Sequence, residues 1–337
     1  MVGAVDRRFA AGIEPDLIVL NDWHVVALSD DLPVGGVISA RLLETNLVVW
    51  RGDDGRVQVW HDRCPHRSVR LSGGKVVNNA LVCPYHGLAY SPEGRCVNVP
   101  AHPGYVPPPQ ACAQTFMAQD RYGLIYVCLG EPAHELPTPG EWDDRSFRRY
   151  INGPYAIPTN GLRAIENFLD VAHLAFIHPG VLGDAAQPDI PDYRVDVSDD
   201  GVHAYDVKVW QPDPYGNGAG GAYIGYDYWV MRPFTAYLRK EDPDGKCKTI
   251  LFHVTPLSET EAIGWMILSL NFAHDTPATE VKAHQDRIFS QDTDTLASHD
   301  PVRLPLVGSA EFHLPSDRTS MVYRTWLKRL GLTYGVL

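Results

Sequence analysis

The amino-acid sequence predicts an α+β protein with two domains, an all-β domain followed by a domain in which helices flank an antiparallel sheet. Short β-rich runs separated by turn residues occupy the chain from about Leu17 to Gly130. Beyond residue 140, extended segments lie between two stretches with helical periodicity. The chain has 337 residues, of which 45% are hydrophobic, and this length is ample for two separate cores.

The first domain is predicted from six β-rich runs. They read DLIVL, WHVVAL, LVVW, VQVW, ALVC and GLIYVCLG, and turn residues such as those at 51–55 separate them. The segment 131–140 is rich in proline and polar residues, so it cannot continue a hydrogen-bonded strand ladder. We place the domain boundary there, which gives domains at 1–135 and 136–337.

The second domain is predicted from helical patterns at 161–178 and 278–299 with strands between them. The extended segments are 202–210, 223–231, 234–240, 248–255 and 263–273. Residues 212–225 contain five glycines, and we expect them to form a flexible loop.

Composition and motifs exclude several classes of function. The formal net charge of −12 and the lack of a basic run interleaved with aromatic residues argue against a nucleic-acid partner. No apolar run reaches about 18 residues and the N-terminus lacks a secretory pattern, so we expect a cytoplasmic protein that does not enter the membrane. Six cysteines are too few for a disulfide framework, and the absence of GxGxxG predicts no nicotinamide site.

Residues 64–87 contain two cysteine and histidine pairs. Cys64 and His66 form a Cys-x-His pair, and after 16 residues Cys83 and His86 form a Cys-x-x-His pair. Two thiolates and two imidazoles can hold one structural zinc ion. A Rieske [2Fe–2S] cluster explains the spacing better, because each loop then gives one thiolate to one iron and one imidazole to the other.

The segment 166–180, ENFLDVAHLAFIHPG, combines acidic and imidazole side chains with a helical pattern. At 100° per residue, Glu166, Asp170 and His173 share one face of a helix. His178 lies about 140° from His173, so the two imidazoles converge only if the last turn is distorted or ends there. The opposite, apolar face consists of Ile165, Leu169, Ala172 and Phe176.

A third acidic ligand is predicted within residues 281–300. On the helical wheel Asp292 lies inside an apolar stripe about 80° wide, whereas Asp286 and Asp294 point away. Burying a carboxylate costs several kcal/mol unless it is paired or bound to a metal, so Asp292 is the predicted ligand. The alternatives are a salt bridge from Asp292 to an arginine such as Arg303 and a helix that bends enough to expose Asp292. The stripe consists of Val281, Ile288 and Leu296.

Together these motifs resemble the α-subunit of the Rieske oxygenases over nearly the whole chain. CPHR followed by CPYHG resembles the cluster motif, and the DxxHxxxxH spacing at 170–178 resembles the mononuclear iron motif. The resemblance implies a C-terminal domain of the START or helix-grip type. It also implies that one iron of the cluster is held by two cysteines and the other by two histidines. These ligands are Cys64 and Cys83, and His66 and His86.

The resemblance assigns roles in the second domain as well. It implies that His173 and His178 bind Fe(II), and Asp292 completes a 2-His-1-carboxylate triad with open positions for O₂ chemistry. Asp170 is implied to be the carboxylate that passes the electron from a Rieske histidine of a neighbouring subunit. Asn167 is implied to be the amide that accompanies this motif.

Three glycines and one leucine are expected to lie close to the cluster. Gly73, Gly74 and Gly87 are expected to let backbone amides approach the sulfides, since glycine has no Cβ. Many relatives have tryptophan where this chain has Leu88, and we expect this departure to alter packing and not ligation.

The resemblance implies a terminal oxygenase that uses O₂ and mononuclear Fe(II). Electrons are expected from an NAD(P)H-dependent reductase, with or without a ferredoxin, and a homotrimer is implied. The segments CVNVPAHPGYVPP and HLPSDRTSMVYRTWLKRLGLTYGV resemble saxitoxin-pathway hydroxylases, and similar short α-subunits demethylate aryl ethers or oxidise aryl methyl groups. We therefore expect monooxygenation, by hydroxylation or demethylation, of a small molecule such as an alkaloid. The alternatives are an electron carrier with a non-catalytic binding domain and a cis-dihydroxylating dioxygenase.

The substrate pocket is predicted from aromatic residues in the strands. If the substrate is a cation, aromatic faces together with Asp206 or Asp227 are expected to hold it. The predicted aromatic walls are Trp210, Tyr226, Tyr228, Trp229 and Trp265.

Overall fold

The computed structural model of the protein describes residues 16–214, 220–242, 244–306 and 311–337. The chain divides into two compact units, Met1–Glu135 and Leu136–Leu337, and the division falls within the proline-rich segment 131–140. None of the helices in the described ranges is long and apolar enough to span a membrane.

The described part of the first unit contains a short helix and ten strands. They are α1 (Leu17–Leu20), β1 (His24–Leu28), β2 (Val37–Leu42), β3 (Thr45–Arg51), β4 (Val57–His61), β5 (Lys75–Val77), β6 (Ala80–Val82), β7 (Ala89–Tyr90), β8 (Cys96–Asn98), β9 (Thr115–Arg121) and β10 (Leu124–Cys128). Six of the strands form a sheet in the order β1-β10-β9-β4-β3-β2, and the other four form a sheet in the order β5-β6-β7-β8. All neighbouring strands are antiparallel.

One β-rich run of the first unit was predicted wrongly. The run DLIVL forms helix α1, because the Asp16 side chain accepts a hydrogen bond from the Ile18 amide at 2.9 Å and caps the first turn. Strand β10, in contrast, is buried along its whole length, as its uninterrupted apolar sequence indicates.

The described part of the second unit contains four helices and seven strands. They are β11 (Arg148–Ile157), α2 (Gly161–Leu169), α3 (Leu174–Ile177), β12 (Arg194–Ser198), β13 (Gly201–Gln211), β14 (Ala222–Arg232), β15 (Thr235–Glu241), β16 (Cys247–Pro256), β17 (Ala262–Leu270), α4 (Ala278–Ala297) and α5 (Arg318–Leu330). The strands form one antiparallel sheet in the order β11-β17-β16-β15-β14-β13-β12. Helix α2 packs on β15 and β16 and also contacts α4, so these elements enclose one face of the sheet.

The sequence pattern predicted a helix over 161–178, but the structure divides this segment into two helices, α2 and α3. Helix α2 ends at Leu169, and Asp170 leaves helical geometry with φ −75° and ψ 131°. The Asp170 side chain instead accepts a hydrogen bond from the Ala172 amide at 2.8 Å, a local turn that competes with the helix. Phe176, placed on the apolar face by the wheel, is 62% exposed.

The glycine-rich loop is shorter than the sequence predicted. Of residues 212–225, those from Ala222 onward belong to β14. Residues 215–219, which include two of the five glycines, lie outside the described residues.

Candidate metal centres and substrate cavity

The two cysteine and histidine pairs lie on adjacent turns of the first unit. Cys64 and Cys83 are both 2% exposed, whereas His66 and His86 are exposed to solvent. The two imidazole rings approach each other, with 4.8 Å between their centroids. The thiols therefore face the core and the imidazoles face solvent.

Backbone hydrogen bonds shape each of these turns. Ser68 N donates to Cys64 O at 2.9 Å, and Gly87 N donates to Cys83 O at 3.1 Å. Gly87 has φ +69°, a conformation that glycine adopts without strain. Gly74 has a different role, because a Cβ there would lie 2.2 Å from Val82 O. Its small size permits the close approach of the loop to β6.

The apolar surroundings complete the thiol side of this site. Cys64 and Cys83 belong to a buried cluster that includes Leu88, so this leucine packs in the core beside the turns. The Tyr90 hydroxyl lies 3.2 Å from Cys64 Sγ, and Asp62 accepts hydrogen bonds from both the amide and the hydroxyl of Ser72. Burial raises the pKa of the Cys83 thiol.

The geometry of these four residues fits a two-iron cluster and not a single ion. In the described residues, three metal-ligating atoms come within 4.8 Å of one another only at His173, His178 and Asp292. The thiols and imidazoles of the first unit are thus not gathered around one centre, as four ligands of a tetrahedral zinc ion would be. Buried thiolates on one side and exposed imidazoles on the other match the two ends of a Rieske cluster.

The second unit brings together the three residues predicted as a metal triad. The end of α2 at Leu169 and the short helix α3 place His173 and His178 with 5.2 Å between their ring centroids. Asp292 Oδ1 lies 3.3 Å from His178 Nε2 and 3.6 Å from His173 Nε2. Two atoms that bind the same ion at about 2.1 Å and at right angles to each other lie about 3 Å apart. The distances from Asp292 to the two imidazoles are close to this value.

Two features of this triad fit the binding of a metal ion. Asp292 is 8% exposed, yet its Oδ1 atom makes no hydrogen bond, and a buried polar atom of this kind requires an explanation. The alternative salt bridge does not form, because Arg303 pairs with Glu259. Two imidazole nitrogens and one carboxylate oxygen are the donor set of non-heme Fe(II) sites.

Gln291 is a residue of this site that the sequence did not predict. Its Oε1 atom lies 2.8 Å from His178 Nδ1, so the imidazole donates there and leaves Nε2 for a metal. Burial lowers the pKa of His178, but the contacts with Asp292 and Gln291 outweigh it and raise the pKa overall. The only sequence signal for Gln291 was its position beside Asp292.

Asp170 lies between the triad and the surface. Its Oδ2 atom is 3.3 Å from His173 Nδ1, and its side chain is 33% exposed. Burial raises the pKa of Asp170, but the contacts with His173 outweigh burial and lower it overall. Asn167 lies one turn earlier on α2 and lines the same cavity as Asp170 and His173.

Glu166, which the helical wheel placed with Asp170, belongs to a separate ion-pair network. Arg324 of α5 donates to both Glu166 carboxylate oxygens, at 2.5 and 2.8 Å, and also contacts Glu311. Arg163 pairs with Glu311 at 2.7 Å. The network ties α2 to α5 and thereby fixes the helix that precedes the triad.

The triad opens into a cavity of about 100 Å³ with largely apolar walls. Alternate residues of β14–β17 and one face of α4 form these walls. Phe168 of α2 packs against Phe252, with 5.1 Å between the ring centroids. Tyr226 and Tyr228 line the cavity as predicted. The apolar walls also include Leu238, Ile250, Phe252, Met266, Ile288 and Phe289.

The other predicted pocket residues do not line this cavity. Trp229 stacks on His203 with 4.9 Å between the ring centroids, and Trp265 is buried with its indole donating to Thr255 Oγ1 at 3.0 Å. Asp206 and Asp227 are both exposed. Asp227 alternates with Tyr226 and Tyr228 along β14 and so faces away from the cavity, and Asp206 lies at the bulge of β13 between Ala204 and Val207. Trp210 is also absent from its lining. The predicted acidic partner for a cationic substrate is therefore wrong.

Known protein families match both units. Residues 22–116 match the Rieske [2Fe-2S] domain, and residues 157–333 match the vanillate O-demethylase oxygenase C-terminal domain. The methylxanthine N1-demethylase NdmA of Pseudomonas putida is 31% identical over 91% of this chain and 88% of its own length. The oxidoreductase NdmD of the same species is 42% identical over 117 residues, which cover 34% of this chain and 20% of NdmD.

Solved structures agree with these sequence matches. The structure of NdmA from Pseudomonas putida superposes with a TM-score of 0.79 at 27% identity and covers 92% of this chain and 90% of that chain. The predicted fold class, a mostly-β domain followed by an antiparallel sheet with helices, is confirmed.

Proposed function

The chain belongs to the Rieske oxygenase α-subunits. From this membership we propose which of its residues bind the cluster, which bind the mononuclear iron and which transfer electrons. Members of this family are non-heme iron enzymes that use O₂ and electrons from a reductase, so this chain is a Rieske-type monooxygenase. The observation that carries the residue assignments is the convergence of His173, His178 and Asp292 at one end of an apolar cavity.

We assign residues 1–135 to the Rieske domain and residues 136–337 to the catalytic domain. Cys64 and Cys83 are the proposed ligands of one cluster iron, and His66 and His86 those of the other. The burial of the thiols and the exposure of the imidazoles support this assignment. The alternative of a pure electron carrier is disfavoured, since a carrier has no need of a second ligand set inside a cavity.

In the second domain His173, His178 and Asp292 are the proposed ligands of the mononuclear iron. When bound, the cluster supplies electrons one at a time and the mononuclear Fe(II) supplies O₂ activation. Gln291 accepts a hydrogen bond from His178 Nδ1 and so holds the imidazole with Nε2 directed at the ion. The apolar walls exclude water and orient the substrate carbon toward the triad.

Asp170 is the proposed route for electrons. Its partly exposed carboxylate contacts His173 on one side and is accessible from outside the unit on the other. This position supports a bridge from a Rieske histidine of a neighbouring subunit, and it requires a homotrimer or another assembly that supplies that histidine. Asn167 is the proposed neighbouring amide of this bridge.

The partners of the chain are a reductase and a small organic substrate. We propose an NAD(P)H-dependent reductase, with a ferredoxin as an optional intermediate, and a cytoplasmic location in keeping with six cysteines that form no disulfide. The names of the relatives include both a neutral methylxanthine and the acid vanillate, so family membership leaves the charge of the substrate open. Demethylation is the reaction that both names share.

Replacing His173 by alanine tests the metal assignment. We expect iron in anaerobically loaded protein to fall from about three to about two atoms per chain, with about two sulfides and the visible cluster spectrum unchanged. His274→Ala, at an exposed position, is the matched control and should keep all the iron. Unchanged iron content in His173→Ala would contradict the assignment.

A further inference from the structure

Two lysines line the cavity that contains the triad, although they were not among the predicted site residues. Lys240 of β15 and Lys248 of β16 both face the cavity. They are direct partners across the two antiparallel strands. Like charges at directly opposed positions repel each other, so the pair destabilises the sheet unless something offsets its charge.

Neutral groups hold both ammonium groups in place. Lys240 is 6% exposed and donates to Gln211 Oε1 at 2.6 Å and to the Pro214 carbonyl at 3.1 Å. Lys248 donates to Gln285 Oε1 at 2.9 Å, and within the described residues no carboxylate forms an ion pair with it. The Gln285 amide orients the Lys248 ammonium group without neutralising its charge.

One further cation, Arg287 of α4, lies near the pair, whereas His284 beside it is uncharged at neutral pH. A second cavity of about 430 Å³ also contains Lys240 and Lys248, and His284 and Arg287 of α4 line it. Burial lowers the pKa of His284 to about 4, and Lys248, Arg287 and Lys240 lower it further. Acidic groups near this region are Asp213 and Glu280, which line only the second cavity, and Asp242, whose charge raises the pKa of Lys240 against the larger effect of burial.

The distance between the lysines and the triad sets the size of a ligand that reaches both. Gln285, the partner of Lys248, precedes Asp292 by seven residues on α4, which corresponds to about 10 Å along the helix axis. Apolar walls lie between these two ends, among them Ile250 and Ile288. One aromatic ring with substituents at opposite ends spans this gap.

We propose that Lys240 and Lys248 bind the carboxylate or sulfonate group of an aromatic substrate and thereby place the opposite end of the molecule at the metal triad. This proposal rests on the proposed function, because it names the substrate class of the same cavity. An anion offsets the cross-strand repulsion and accepts hydrogen bonds from both ammonium groups. The pair would thus be the residues that select acids over neutral or cationic compounds.

Calorimetric titration of the purified full-length protein tests the proposal. Benzoate and benzenesulfonate are the anionic probes, and benzamide is the neutral probe of the same shape. We expect the anions to bind about 10- to 100-fold more tightly than benzamide, since charge-assisted hydrogen bonds are the stronger ones. Equal binding of benzoate and benzamide, or no binding of either anion, would overturn the proposal.

Variants locate the binding on the lysines. Lys248→Met should weaken benzoate binding about 10- to 100-fold and leave benzamide binding within about threefold. Lys208→Met, at an exposed position of β13, is the control and should leave both unchanged. Because the repulsion with Lys240 is removed, Lys248→Met should melt at the same temperature as the wild type or higher. Lower benzoate affinity with a marked loss of thermal stability would indicate a structural role and contradict the proposal.

The dependence of benzoate binding on pH gives a second test. Burial lowers the pKa of Lys240 to about 7 and that of Lys248 to about 8. Their charge is therefore present below these values and lost as pH rises through them, whereas carboxylates and guanidinium groups ordinarily do not titrate there. A bound anion raises the pKa of both lysines. Benzoate affinity should therefore fall as pH rises from 7 to 9, a range that extends above the two pKa values of the free protein. A flat profile would contradict the assignment.

The same titration separates this proposal from the proposed function. The benzoate titration is repeated on protein that lacks the mononuclear iron. A benzoate that binds by coordinating the iron no longer binds to this protein. Anion binding that persists without iron and depends on Lys248 supports the lysine site whatever the outcome of the iron analysis. Anion binding that disappears with the iron would overturn the lysine site and leave the oxygenase assignment intact.

Discussion

At the scale of single residues, the metal triad is arranged by contacts with its immediate neighbours. His173 and His178 each present Nε2 to Asp292, and each has a second contact at Nδ1, with Asp170 and Gln291 respectively. Such second contacts fix the orientation of a ligand imidazole and tune its basicity. The two predictions at this scale therefore concern Asp170 and Gln291.

Asp170→Asn should separate electron transfer from metal binding. The amide keeps the shape of the side chain but removes the charge beside His173, so we expect both irons to stay bound. The rate at which O₂ re-oxidises the chemically reduced cluster should fall about 10- to 100-fold, as measured by stopped-flow absorbance. Asp294→Asn, on the exposed face of α4, serves as control. Loss of the mononuclear iron in Asp170→Asn would make Asp170 a ligand instead.

Gln291→Leu should weaken iron binding, because His178 Nδ1 loses its acceptor. We expect the affinity of the triad for Fe(II) to drop about 10- to 100-fold in a titration against a competing chelator. Gln291→Glu retains an acceptor oxygen and should bind Fe(II) nearly as well as the wild type. Equal affinities for all three proteins would show that the contact is not functional.

Sequence reasoning identified residues whose chemistry is unusual for their position. Asp292 stood out as a carboxylate in an apolar helical stripe, and it is buried beside both histidines. Lys240 and Lys248 gave no such signal, since they lie in strands whose ends are rich in charged residues. Only the strand register shows that the two lysines are paired and face inward.

At the scale of elements, periodicity predicted strands β13–β17 and helix α4 well. It failed where a side chain competes with the backbone, at the Asp16 cap of α1 and at the Asp170 turn that ends α2. In the second unit, strands β11 and β12 and helix α5 were missed. Strand β11 contains glycine and proline at 153–154, which weaken a strand pattern. Helix α5 does carry an apolar stripe at helical spacing, with Tyr323, Trp326 and Leu327 buried, so this signal was present in the sequence and was not used.

Gly74→Ala tests the packing of β6, the strand that leads into the second cysteine turn at Cys83. A Cβ at Gly74 would lie 2.2 Å from the Val82 carbonyl oxygen, so the pairing of β5 with β6 must shift. We expect a loss of about 1–3 kcal/mol in the free energy of unfolding of the cluster-loaded protein, measured by denaturant titration. Gly73→Ala is the matched control, because its Cβ would meet only Pro84 Cγ at 3.6 Å. Similar stability of both variants would contradict this role.

At the scale of the whole molecule, the chain combines two units that have separate sheets and separate ligand sets. The imidazoles of the first unit are exposed and Asp170 of the second is partly exposed, and these are the groups through which we propose that an electron passes between subunits. We therefore expect native mass spectrometry to show a complex of three identical chains. A strictly monomeric protein that still turns over would contradict electron transfer between subunits.

The proposed function requires two iron centres in one chain. Iron, zinc and acid-labile sulfide should be measured on wild-type protein purified without oxygen. We expect about three irons and about two sulfides per chain, with no zinc. About two irons and two sulfides would leave the triad without its metal and favour an electron carrier, and one zinc without sulfide would contradict the account as a whole.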